Sequence, residues 1–304
     1  MRDYRRLVIT LSIAYPAEEP RTNLCTSSRF VTTPPKVREP SLACDCHAHV
    51  LGPADRYPYV ADRSFTPPDA LEDAYLRMLS TLGIECMVIV RGTDNSRVTA
   101  AVTALGPHRA CGVAMVGPDV AAEALRELDA HGIRATRFIT TAKGGPGLDS
   151  LPEVARKVAP YGWHIEMYVP PAVWPDLLPI IDRLPVPVMF DHMAALCAGV
   201  EPNDPVLLDI LRKLESGRHW VKLCGDRASV AGYVCADVAP PASLFLRHAP
   251  ERCVWGTDWP HTNIAEHMPD DGELLDLLTG WTSGPAVRQQ ILVDNPAMLY
   301  RLGR

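Results

Sequence analysis

Two imidazoles stand two residues apart in Asp45-Cys46-His47-Ala48-His49. Along an extended strand such residues point to the same side, so His47 and His49 face one interior together. Burying two rings side by side is costly unless they bind something. Asp191-His192 offers a third imidazole, and Trp255-Gly256-Thr257-Asp258-Trp259-Pro260-His261 offers a carboxylate, Asp258. Ester hydrolysis needs donors aimed at the oxygen that becomes an oxyanion, and a base that takes a proton from water. Imidazole N–H groups meet the first need, and a carboxylate on the opposite wall meets the second. The sequence has no Gly-x-Ser-x-Gly elbow, so a covalent acyl-enzyme is not expected.

These residues need elements to hold them. From residue 42 onward, short β-branched runs alternate with helical patterns. Strands are predicted at 42–50, 84–90, 111–116, 133–140, 163–169, 186–191, 220–224 and 253–257. Between them, apolar residues recur at i, i+3 and i+4 in segments such as DALEDAYLRMLSTLG, DVAAEALRELDAHG and DPVLLDILRKLESG, which open on Asp and close on Gly as capped helices do. Strands alternating with helices imply right-handed βαβ units and a parallel sheet. Eight units in about 260 residues match an α/β chain forming a single (β/α)8 TIM barrel, typically about 250 residues long. A doubly wound open sheet is the structural rival. The barrel is expected over 42–304, preceded by a flexible, disordered leader, 1–41, whose residues 16–41 are rich in Pro, Ser, Thr and charge. Catalytic groups of such barrels hang from the C-terminal ends of the strands, where His47, His49, His192 and Asp258 all fall.

The 304 residues carry 30 Lys and Arg against 36 Asp and Glu, a formal net charge of −6, and 47% of them are hydrophobic. That balance excludes disorder for the bulk of the chain. Without a long basic tract it also argues against nucleic acid or an anionic membrane as partner. A small molecule is expected instead, bound to a monomer or a homo-oligomer. No run approaches 18 apolar residues, so no transmembrane helix is expected. MRDYRRLVITLSIAYPA imitates a signal peptide weakly, since Thr10 and Ser12 dilute its apolar stretch. Nine cysteines without a Cys-x-x-Cys pair read as buried, reduced thiols of a cytoplasmic protein.

The sequence resembles the amidohydrolase superfamily, in the branch that includes 2-pyrone-4,6-dicarboxylate lactonase. The resemblance runs through DCHAHVLGPADRYPY, GIRATRF, GWHIEMYV, DHM, VWGTDWPH, EHMPDDGELLDLL and VDNPAMLY, covering nearly everything from Ala43 to Leu302. It implies hydrolysis of a small carboxylated lactone or pyrone, with His47, His49 and His192 at the carbonyl and Asp258 as general base. It also implies that Arg137 and Arg227 hold substrate carboxylates, with Lys143 where the lactonase has an arginine. A guanidinium binds carboxylate bidentately and an ammonium acts as a point charge, so the second anionic group is left open. Tyr168 ends the fifth strand and joins the substrate shell. Phe65 stands where the lactonase has Tyr, Ala194-Ala195 where it has Gly-Arg, and Arg91 follows a shortened loop after the second strand. The shared chemistry is therefore expected to act on a different anionic substrate.

The metal question turns on the fifth strand. Metal-dependent members of the superfamily typically add a His or a bridging Lys there. Here the only histidine, His164, lies at the wrong end of the strand. A metal-free site is therefore expected. The alternative is a Zn or Mn ion on His47, His49 and Asp258, three ligands being enough for catalytic zinc; a metal-dependent amidohydrolase or decarboxylase would then result. A lactone isomerase, using the same oxyanion groups with a substrate hydroxyl in place of water, is a further alternative. His261 and His267 are expected to support the site or lie at the surface. His108, His131, His219 and His248 are expected at the far end of the barrel. Lys143-Gly144-Gly145-Pro146-Gly147 lacks the Gly-Lys-Ser/Thr of a phosphate cradle and reads as a loop over the site.

Overall fold

Each β-branched run forms a strand and is followed by a helix. The computed structural model describes residues 31–59, 63, 66–196, 200–225, 227, 229, 235–262, 264 and 268–302. The strands are β1 (Cys44–Ala48), β2 (Cys86–Val90), β3 (Ala110–Ala114), β4 (Ile133–Ile139), β5 (His164–Tyr168), β6 (Val188–Phe190), β7 (Trp220–Leu223) and β8 (Cys253–Trp255). The helices are α1 (Glu72–Leu82), α2 (Asn95–Leu105), α3 (Ala122–Ala130), α4 (Leu151–Val158), α5 (Trp174–Ile181), α6 (Pro205–Glu215), α7 (Ala239–His248) and α8 (Asp271–Trp281). Neighbouring strands pair in parallel, in chain order from β1 to β8. The chain is thus a (β/α)8 TIM barrel. Two short helices, α9 (Pro285–Gln289) and α10 (Asn295–Tyr300), follow. Asp94, Asp204 and Asp270 cap α2, α6 and α8 by accepting backbone N–H bonds; of the three Asp openings read from the sequence only Asp204 does so, since α1 and α3 start after Leu71 and Ala121 without a side-chain cap.

A β-bulge sets the direction of the first strand. Its register against β2 shifts between Asp45 and Ala48. Asp45 points outward, where its carboxylate accepts a hydrogen bond from Tyr75 Oη of α1 at 2.9 Å. Regular alternation would send His47 the same way. The extra residue instead lets Cys46 join the interior cluster with Cys44, Val88 and Cys111 while His47 also turns inward, against Lys222 of β7. Re-aiming a side chain is a recurrent use of a bulge.

The barrel closes on the same residues. The Asp258 N–H donates to His47 O at 2.9 Å, and the His49 N–H to Trp259 O at 2.7 Å. Asp45 clamps this seam, accepting from Thr257 N–H at 2.9 Å and Thr257 Oγ1–H at 2.7 Å. Burial pushes the Asp45 carboxyl up to about 6 against the pull of Thr257, His47 and Tyr75, so it is an anion at neutral pH. Gly256 is required by close approach, because a Cβ there would lie 2.7 Å from His47 N and Cβ.

Two expectations are corrected at the edges. Residues 1–30 of the expected leader lie outside the described residues, but its last part is fastened down. Thr33 N and Oγ1 bond to Asp270 at 3.1 and 2.9 Å, Lys36 N to Asp276 at 2.8 Å, and buried Glu39 pairs with Arg288. Strands β6 and β8 are also shorter than expected. Their ladders stop where His192 and Asp258 adopt positive φ, 47° and 65°. Among the described residues, seven cysteines are buried, and no helix is long and apolar enough to cross a membrane.

Removing one donor from the Asp45 clamp should cost about 1–3 kcal/mol, because a buried carboxylate loses a partner. Tyr75→Phe and Thr257→Val are each expected to lower the urea midpoint accordingly. Unchanged midpoints in both would show that the seam does not rely on Asp45.

Candidate active site

The four residues read as catalytic meet at the C-terminal mouth. His49 lies just beyond β1, its ring fixed by Nδ1 at 2.9 Å from Val90 O. Asp258 follows β8 with left-handed backbone. Its Oδ1 lies 3.3 Å from His47 Nε2 and 3.4 Å from His49 Nε2, and its Oδ2 accepts from Arg227 Nε at 2.5 Å. His192 opens a turn of four consecutive left-handed residues, His192 to Ala195, with φ between 47° and 60°. Each costs an L-residue about 1–2 kcal/mol, and such strain persists only where its surroundings enforce it. The turn sets the His192 ring against His47, at 4.7 Å between centroids, and against Tyr168, at 4.6 Å.

Beneath them lies a buried charge network that sequence reasoning missed. Lys222 Nζ of β7 is 2.7 Å from Glu166 Oε2 of β5, 3.1 Å from Asp191 Oδ1 and 3.1 Å from His47 Nδ1. Arg137 of β4 reaches Asp191 Oδ2 at 2.8 Å and His192 Nε2 at 3.1 Å. Glu166 Oε1 also accepts from Tyr300 Oη of α10 at 2.7 Å. A charge can stay buried only if it is paired and hydrogen-bonded, and here two cations face two carboxylates. Burial pushes the Asp191 carboxyl up, but Lys222 and Arg137 overcome it and hold the group well below the carboxylate range. Burial, and then the Lys222 charge, lower His47 to about 4. Burial likewise holds His192 well below the usual imidazole value. Both rings are neutral at pH 7. Asp258 is an anion, because Arg227 outweighs the effect of burial.

These contacts fix ring polarity. A guanidinium only donates, so His192 Nε2 accepts from Arg137 and the His192 proton sits on Nδ1, a buried atom without a partner. A carbonyl only accepts, so the Nδ1 proton of His49 belongs to Val90 O, and with that one proton the ring presents a lone pair at Nε2 rather than a donor for an oxyanion.

A cavity of about 240 Å³ opens above, its floor formed by His49, His192 and Asp258. His47 is fully buried just beneath that floor. Arg137, Lys143, Tyr168 and Arg227 line the cavity, and Arg63 and Arg91 add two more cations. Asp258 is the one carboxylate among the described lining residues. Phe65 and His267 lie outside the described residues. His261 is buried against Asp271 at 3.0 Å, in a supporting place, and His219 accepts from Val188 N at the far end of the barrel. His47, His49 and Asp258 bring three ligand-type atoms within 4.8 Å of one another, as do His47, Asp191 and His192.

A parallel (β/α)8 barrel with paired histidines at the end of its first strand and an aspartate after its eighth places the chain in the amidohydrolase family, whose model matches residues 44–302. The chain belongs to that family and is an enzyme of the hydrolase class. It is 34% identical to a 2-pyrone-4,6-dicarboxylate hydrolase of Comamonas testosteroni, over 88% of this chain and 92% of that one. It is 35% identical to a 4-sulfomuconolactone hydrolase of Rhizobium radiobacter, over 94% and 98%. An apo crystal structure from Agrobacterium tumefaciens superposes with a TM-score of 0.83 at 29% identity, covering 90% of this chain and 99% of that one.

Unfolded His47 takes up a proton below about 6.5, and folded His47 only below about 4. Acidification across that window therefore favours the unfolded chain, by about 3 kcal/mol from His47 alone. The urea midpoint should fall from pH 6.5 to pH 4, and His47→Gln should flatten the fall. An equal slope in the variant would show that the folded ring titrates normally.

Proposed function

We propose that the site hydrolyses a small anionic lactone. The observation that carries this reading is one carboxylate base beside buried, partnerless imidazole nitrogens, under a ring of cations. Water held by Asp258 Oδ1, with its second proton towards the His49 Nε2 lone pair, attacks the ring carbonyl carbon. Asp258 takes the proton as the C–O bond forms. The carbonyl oxygen gains charge between His47 Nε2 and His192 Nδ1, two buried ring nitrogens without a hydrogen-bond partner. The ring C–O bond then breaks. An enolate leaves unaided, and an alkoxide takes the proton from Asp258. The second water proton stays on the new carboxyl group and is lost to solvent, leaving one new carboxylate; where an enolate has left, Asp258 returns its proton to that enolate or to solvent.

The cations select the substrate. Arg137, Lys143, Arg227, Arg63 and Arg91 around one carboxylate favour a lactone carrying its own anionic groups, in keeping with the dicarboxylate and the sulfonated lactone named for the two relatives. An anion reaching Arg227 also competes for the guanidinium that holds Asp258.

The reaction as drawn uses no metal. A Zn or Mn ion on His47, His49 and Asp258 does not fit this charge pattern. Lys222 already lies 3.1 Å from the first of these ligands and Arg227 2.5 Å from the third.

After exhaustive chelation the protein is expected to open carboxylated lactones and pyrones, followed by loss of ring absorbance. Asp258→Asn should bind substrate yet lose at least about 100-fold in kcat, the scale of a general base. A variant with half its activity would remove Asp258 from the mechanism. Activity lost to chelator and restored by stoichiometric Zn or Mn would overturn the metal-free reading. An isomeric lactone as product would identify an isomerase.

A further inference from the structure

An ammonium group has three protons and no lone pair. Lys222 Nζ has three acceptors within 3.1 Å, namely Glu166 Oε2, Asp191 Oδ1 and His47 Nδ1. A proton on His47 Nδ1 would point at that ammonium. The competing acceptor for such a proton, Asp191 Oδ1, is farther from His47 Nδ1, at 3.4 Å, and already takes a Lys222 proton. The other Asp191 oxygen takes Arg137 at 2.8 Å. The one proton of neutral His47 is therefore on Nε2.

We infer that Lys222 is a positioning residue that sets the hydrogen-bond polarity of His47, making Nε2 a proton donor and withholding it from metals. A metal-ligating histidine is arranged the other way round, its remote N–H donated to a carboxylate or carbonyl and its lone pair turned to the ion. His49 has that arrangement, through Val90 O, and His47 has the reverse. The two rings of the His-x-His pair thus face Asp258 Oδ1 with opposite polarity, at 3.3 and 3.4 Å. The set of His47, His49 and Asp258 has ligand types that suit zinc, yet one of its three positions presents a hydrogen.

Losing the ammonium reverses this polarity. With Lys222 replaced by Met, Asp191 Oδ1 becomes the acceptor for a proton on His47 Nδ1, and the Nε2 lone pair turns towards Asp258 and His49. The Glu166 partner is removed together with the cation, as Glu166→Gln, so that no unpaired charge is left on β5. The inference concerns the resting protein and stands or falls separately from the lactone reading, since neither test uses a substrate.

The first test is the two-bond 1H–15N correlation of His47 in histidine-labelled full-length protein, assigned with His47→Gln. The expected pattern is that of the Nε2–H tautomer, and the Nδ1–H pattern overturns the inference without any change to Lys222. The second test compares Zn(II) and Co(II) binding by wild-type protein and the Lys222→Met/Glu166→Gln variant, using metal analysis after dialysis and the visible spectrum of Co(II). The variant is expected to bind one equivalent at least tenfold more tightly, with its His47 pattern switched to Nδ1–H. Equal affinity with an unswitched pattern would show that Lys222 does not set the ring.

Discussion

The ammonium of Lys222 is the contact on which the rest of the site depends. It sits at the centre of the barrel, fully buried, where removing a charge from water costs several kcal/mol unless partners surround it. Glu166, Asp191 and His47 supply those partners from β5, the end of β6 and β1. Arg137 then balances the second carboxylate and in turn polarises His192. Four strands are thus held in register by one electrostatic requirement. The neutrality of the two imidazoles follows from the same arrangement, because each is buried with a cation on one nitrogen.

The seam between the last and first strands is the mechanical counterpart of that network. Asp45 faces away from the cavity, yet its bonds to Thr257 fix where Asp258 begins. The bulge gives the first strand two faces of use, the outer face for closure and the inner one for the imidazoles. The left-handed turns at His192 and Asp258 serve the same end. They stop the strands early and point the side chains across the mouth rather than along the barrel wall.

Much of this was legible in the sequence. The alternation of runs gave eight strands and the Asp204 cap of α6, and His47, His49, His192 and Asp258 met where strand ends placed them. Same-side pointing of His47 and His49 also holds, but the phase of β1 does not, because nothing in Asp45-Cys46-His47 signals the inserted residue. Lys222 and Glu166 each stand as a single charge in an apolar run, which spacing alone does not mark. Their signal was present: opposite charges at inward-facing positions two strands apart, where neither could stay without the other. The role expected of His49 needed a distance to Val90 O, which no spacing encodes. The leader was read from composition alone, which does not register single contacts such as Thr33 with Asp270.

That clasp reaches further than its position suggests. Asp270 holds Thr33 and caps α8 with the same carboxylate. Its neighbour Asp271 holds the His261 ring, and the His261 N–H donates to the backbone oxygen of Asp258 at 2.8 Å. Thr33 and the base at the barrel mouth are therefore joined through a few directly bonded or adjacent groups. In the language of local unfolding they form one cooperative unit, so peeling back residues 33–39 is an event the active site would register, some 220 residues along the chain but a few bonds away in space.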